Sequence, residues 1–181
     1  MSHYPRTTSL FGAILVSLAA CGTGGQSSGT ASAPAPKQPS RVDAVFTGQA
    51  TTRDIALIDS ARLAQTKTTD SAIRDLATHI VQDRSGVDHQ VAALAQSQGW
   101  SLPAAMDAPH QQQLAQLESL NGPAFNRAWL DQQLRDQTMA IQAFQAEADT
   151  STDPPFRDLA QAALPGMLED LRATQQLSIA R

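Results

Sequence analysis

Four histidines, a single cysteine and three glutamates are the residues here best equipped for metal or nucleophilic chemistry. Carboxylate-bridged di-iron centres in helical bundles take a glutamate from each of two helices and a Glu-x-x-His pair from each of the other two. No Glu-x-x-His occurs: Glu118, Glu147 and Glu169 are followed three positions later by Asn121, Thr150 and Arg172. His79 and Asp83 stand four apart, a spacing that puts both on one helix face within reach of one ion. A solvated polar surface is the plainer reading of that pair, and of His89 beside Asp88. Asp107-x-x-His110 straddles Pro109 at a helix start, where Asp107 suits a cap. His3 falls in the N-terminal segment. There is no Gly-rich phosphate loop and no nucleophile elbow. The expectation is no metal, no cofactor and no catalysis.

Cys21 has a different chemistry. Arg6 supplies a positive start, and Leu10 to Ala20 is an apolar run of about eleven residues, where a membrane span needs about 20. It ends in Leu18-Ala19-Ala20-Cys21, which resembles the bacterial lipobox. Residues 1–20 therefore read as a lipoprotein signal peptide and Cys21 as the lipidated residue. As the lone cysteine it has no intramolecular disulfide partner. Several acyl chains would make a firm anchor, since one chain binds membranes only marginally. Gly22 after the cysteine, by resemblance to lipoprotein sorting rules, points to the outer membrane with the protein facing the periplasm. Residues 21–41 are Gly, Ser, Thr, Ala, Pro and Gln with little apolar bulk, and read as a disordered tether.

The rest, residues 42–181, is one domain's worth of chain. Alanine, glutamine and leucine dominate, which favours an all-α fold. The net charge is −4 with both signs interspersed. No basic face or aromatic platform suggests nucleic acid. Helix 1 is expected from about Asp43 to Lys67; Thr51 and Thr52 weaken its middle, and Gly48 leaves room for a break. Helix 2 runs from a cap at Asp70 to a stop at Gly99, on the stripe Ile73, Ala77, Ile80, Arg84, Val87, Val91 and Leu94. Gly86 inside it either costs helix propensity or admits a close neighbour. Residues 99–122 are long for a helix–helix link and read as a crossover holding a short helix from Pro109 to about Leu120. Helix 3 opens at Pro123 with Leu130, Leu134, Gln137, Ile141 and Phe144 inward. Helix 4 opens at Pro154 or Pro155, with Phe156, Ala160, Met167, Asp170 and Thr174 inward and a kink at Pro165. The architecture is two antiparallel hairpins joined by the crossover. Trp100 and Trp129 read as plugs at helix ends, and Gln112-Gln113 and Gln132-Gln133 as solvated faces.

Three inward stripes carry a polar residue: Arg84, Gln137 and Asp170, with Leu57 at the matching place in helix 1. They form an interior polar layer in which Arg84 and Asp170 are expected to pair, Gln137 beside them. The alternative register leaves these side chains at the rim, in water.

The order and spacing of several short pieces resemble a bacterial family, the ferritin-like domain of unknown function 4142. The carriers are Asp43-Ala44-Val45-Phe46, Leu63-Ala64, Leu76-Ala77 with Asp83, Leu94-Ala95 with Gly99, Leu102-Pro103, Phe125-Asn126-Arg127-Ala128-Trp129-Leu130 and Leu164-Pro165. The resemblance covers about Asp43 to Leu177. It implies a four-helix ferritin-like bundle, exported and often lipid-anchored. It also implies a glutamate in helix 1 and a histidine in each of the other three, where this chain has Leu57, Arg84, Gln137 and Asp170. A guanidinium cannot ligate a metal. The expected role is therefore a structural or interaction module of the envelope, tethered through Cys21, with an unknown envelope protein as partner. The alternative is a ferritin-like metal- or small-ligand-binding protein, or a weak oxidoreductase, acting in envelope stress.

Overall fold

The computed structural model describes residues 40–180. The expected signal peptide, Cys21 and all but the end of the tether lie outside the described residues. Five helices and no strand occur among those described: α1 (Arg41–Lys67), α2 (Ser71–Ser97), α3 (Ala108–Ser119), α4 (Gly122–Thr150) and α5 (Pro154–Ile179).

The helix ends follow from local chemistry. Ser40 caps α1, its Oγ accepting from the Asp43 N–H at 3.1 Å, so the helix starts two residues earlier than expected. The helix continues through Gly48 without the break that residue allows. Thr47 Oγ1 donates to the Asp43 carbonyl and Thr52 Oγ1 to the Gly48 carbonyl, both at 3.0 Å, which satisfies these hydroxyls inside the helix. Asp70 caps α2 by accepting from the N–H groups of Ala72 and Ile73. At its other end Gly99 has φ +72°, and the N–H groups of Trp100 and Gly99 return to the carbonyls of Ala95 (2.9 Å) and Gln96 (3.0 Å). That pair of bonds is a Schellman ending, which needs the left-handed conformation at Gly99. Asp107 caps α3, accepting from the His110 N–H at 3.1 Å. α5 runs without interruption through Pro165, whose ring is exposed.

α1 packs on α2 and α4, and α5 packs on the same two helices. Contacts at the ends set the directions. Asp43 at the start of α1 meets Ser151 after α4, and Trp100 after α2 stacks on Phe156 at the start of α5, centroids 5.5 Å apart. At the opposite end Thr68 donates to Asn126 at 2.8 Å, and Lys67 donates to the Glu118 carbonyl. Packed neighbours are thus antiparallel. The segment 98–121 leaves one end and arrives at the other, with α3 lying on α1 and α4.

The core divides into two apolar clusters. One gathers Phe46, Phe144, Val91 and Leu159, with the two phenyl rings edge-on at 5.0 Å. The other gathers Ile73, Ile80, Phe125 and Trp129. Each large side chain buried there contributes roughly 1.5–3 kcal/mol. Among the described residues no helix is long and apolar enough to cross a membrane.

Candidate functional site

The polar layer joins the two clusters. Leu57, Arg84, Gln137 and Asp170, one from each long helix, are all buried and line one small cavity with Ile80, Ala140 and Met167. Its volume, about 10 Å³, has room for a single water at most.

The partners inside the layer differ from the expected ones. Arg84 and Asp170 do not pair. Arg84 Nη2 donates to Asp83 Oδ2 at 2.8 Å, and Nη1 lies 3.5 Å from Asp54 Oδ1. Asp54, on α1, is fully buried and the sequence reading missed it. Its signal was present: Ala50, Asp54, Leu57, Ala61 and Ala64 step by four and three, so Asp54 shares the inward stripe. The contact with Nη1 is too long for a good hydrogen bond, and neither oxygen of Asp54 has another donor. Burial raises the Asp54 carboxyl to about 7, against the pull of Arg84.

Asp170 is engaged by His79, whose Nδ1 lies 2.7 Å from Oδ1. His79 and Asp83 do not act together as the spacing suggests: His79 leans onto a buried carboxylate while Asp83 serves Arg84. The imidazole remains 55 % exposed and lines an open groove of about 420 Å³ with Asp75, Leu76, Glu169 and Leu177. The hydrogen bond to Asp170 raises its pKa. Burial raises that of Asp170, which the bond to His79 partly offsets.

Gln137 belongs to a chain of amides. Thr174 Oγ1 donates to Gln137 Oε1 (3.2 Å), Gln137 Nε2 to Gln133 Oε1 (3.2 Å), and Gln133 Nε2 to Ser60 Oγ (2.8 Å). Trp129 Nε1 closes the run on the Ser60 carbonyl at 3.0 Å. Gln132 and Gln133, expected on a solvated face, are both buried. Between Trp129 and Gln137, about two and a half turns, α4 therefore turns amides and the indole inward, a broader buried face than its apolar stripe indicated. Asp107 and His110 contact each other at the start of α3, and His89 is exposed. Three further acids are unexpectedly buried: Asp136 on α4, and the pair Asp43 and Glu147 where α1 begins and α4 ends.

Chemically, the layer offers a cation, amides and two carboxylates with separate partners. Among the described residues no three His, Cys, Asp or Glu side chains are grouped so as to hold a metal ion.

The profile of a family described as "Domain of unknown function (DUF4142)" matches residues 28–177. No curated protein matches the chain. Among solved structures, a DUF305 fragment from Deinococcus radiodurans is similar at TM-score 0.71 and 15 % identity, over 79 % of this chain and 99 % of that one. CopM in its Cu(II)-bound form is similar at TM-score 0.67 and 19 % identity, over 76 % of this chain and 96 % of its own. CopM in its Ag-bound form gives 0.62 and 20 %, over 75 % and 93 %. At these identities the likeness is one of fold.

Proposed function

We propose that this chain, which belongs to the DUF4142 family, is a lipid-anchored envelope protein whose ferritin-like four-helix bundle serves as a structural or interaction module and carries out no catalysis. The observation that supports this most directly is Arg84. It lies 2 % exposed at the centre of the bundle, in the layer where di-metal bundle proteins place their inward carboxylates and histidines. A guanidinium has no lone pair to donate and its charge opposes a cation. Of the layer residues that share the cavity with it, Leu57 and Gln137 add no anionic donor, and the one carboxylate, Asp170, is engaged by His79.

Attachment would run through Cys21 to the outer membrane, facing the periplasm, with another envelope protein as partner and no nucleic acid. Palmitate labelling of the native chain, with Cys21→Ser as control, tests the anchor. Metal analysis of the protein purified without a His tag tests the module. Stoichiometric iron, manganese or zinc would overturn it.

A second reading, binding of a metal or small ligand with a weak redox role in envelope stress, draws on the likeness to CopM, solved with Cu(II) and with Ag. Its best donor is His79. Asp170 engages Nδ1, the arrangement by which carboxylates orient metal-binding imidazoles, and Nε2 is left for a ligand. Titration with Cu(II) and Ag(I), compared with His79→Ala, separates the readings. Saturable binding lost in the variant favours the second.

A further inference from the structure

Two carboxyl groups close the end of the bundle where α1 begins and α4 finishes. Asp43 is 0 % exposed and Glu147 3 % exposed. Asp43 comes from the first turn of α1 and Glu147 from the last turn of α4, and the Asp43 carboxyl, held to the end of α4 through Ser151, acts on that of Glu147 and raises its pKa. Ser151 Oγ donates to Asp43 Oδ1 at 2.9 Å. Asp43 Oδ2 and Glu147 Oε1 have no further donor of good geometry.

Among the described residues no cation forms an ion pair with either acid. The charge acting on Glu147 is that of Asp43, an acid, and the neutral Ser151 hydroxyl is its other partner. On α5, Arg157 turns to Asp158, with Nε 3.5 Å from Oδ1. Arg41, two residues before Asp43, is exposed. A buried carboxyl beside a second acid, with no ion-pair partner among the described residues, resists ionising. One proton has to stay between them. Asp43 already accepts from Ser151, which leaves Glu147 as the group that donates.

We propose that this shared proton is a clasp: it ties the first turn of α1 to the end of α4, and its loss in mildly alkaline medium frees residues 40–47. Burial and the neighbouring Asp43 push the Glu147 carboxyl up to about 8, so the release falls at the upper edge of the neutral range. Above it, the two charges repel and water enters. The consequence is positional, because residues 40–47 join the folded domain to everything that precedes it. The reach and freedom of that attachment would then depend on pH: Phe46 leaves the first apolar cluster with the segment, while the cluster of Ile73, Ile80, Phe125 and Trp129 stays packed.

The test uses the full chain. Carbon-detected NMR follows the Glu147 carboxyl with pH, and amide exchange follows residues 41–47. A midpoint near 8 is expected, together with a loss of protection at 41–47 of about tenfold or more between pH 6 and pH 9, corrected for intrinsic exchange; tenfold corresponds to about 1.4 kcal/mol. Amides of the Phe125–Ile141 stretch should stay protected. Glu147→Gln keeps a permanent donor of the same shape and should hold the protection at pH 9. A Glu147 midpoint in the ordinary glutamate range overturns the clasp, as does an equal loss of protection in Glu147→Gln. Should that variant not fold, the titration of the native chain decides alone.

Discussion

Arg84 shows how one residue's worth depends on its partner's proton. The guanidinium is held by Asp83 and faces the buried Asp54. Arg84→Met removes the cation and strands Asp54; breaking buried pairs this way costs about 3–5 kcal/mol. The loss should grow with pH. Asp54 takes up a proton more readily once Arg84 is gone, so in acid the variant hides a neutral acid, whereas at pH 9 it must shelter a charge or hold a proton against the medium. Urea unfolding at pH 5.5 and pH 9 measures the difference, and Asp54→Asn/Arg84→Met should keep only the pH dependence that the other buried acids supply. Trp129→Phe keeps the plug but deprives the Ser60 carbonyl of its indole donor. The expected cost is about 1–2 kcal/mol at any pH, since no charge is involved.

At the level of helices, two glycines of α2 should respond in opposite ways. Gly86 was open to two readings, a weak spot or a point of close approach. A Cβ placed there meets nothing within 4 Å, so no neighbour requires the glycine. Gly86→Ala should stabilise by about 0.5–1 kcal/mol through helix propensity. Gly99 is equally uncrowded, but its φ of +72° ends the helix. Gly99→Ala should cost about 1 kcal/mol or more, because a Cβ strains the left-handed conformation of the Schellman ending. Thermal unfolding of both variants checks the contrast in sign.

For the molecule as a whole, buried acids dominate the response to pH. Asp54 is raised from 3.8 to about 7 and Glu147 from 4.5 to about 8. A carboxyl whose folded pKa lies above its unfolded value contributes stability that is full below the unfolded value and is lost as pH climbs through the folded one. Asp136 and Asp170 shift the same way, each mainly by burial. Asp107 shifts downward under the hydrogen bond from the His110 backbone, but it is exposed and weighs little. The melting temperature should therefore be highest in mild acid and fall steadily from about pH 5 to pH 9. A maximum near pH 8 would show that the buried carboxyls ionise without cost.

Much of this was legible in the chain before any coordinates. Local signals are read within a turn or two of helix, so Asp70, Asp107 and Gly99 marked element ends correctly, and the 4-3 stepping of apolar residues told which face of each helix turns inward. The length of the 99–122 link implied its passage from one end of the bundle to the other. The same stepping placed Leu57, Arg84, Gln137 and Asp170 inside. What it could not set was the rotation and axial offset of helices separated by tens of residues. The placing of α1 and α5 around α2 decides that Arg84 faces Asp54 rather than Asp170, and that Asp170 comes within reach of His79. The acids at positions 43, 54 and 147 stayed unread for a related reason: an aspartate on an inward stripe is tolerable only with a proton or a partner, and that companion comes from another helix. Periodicity fixes the direction in which a side chain points; only the packed bundle decides what it finds there.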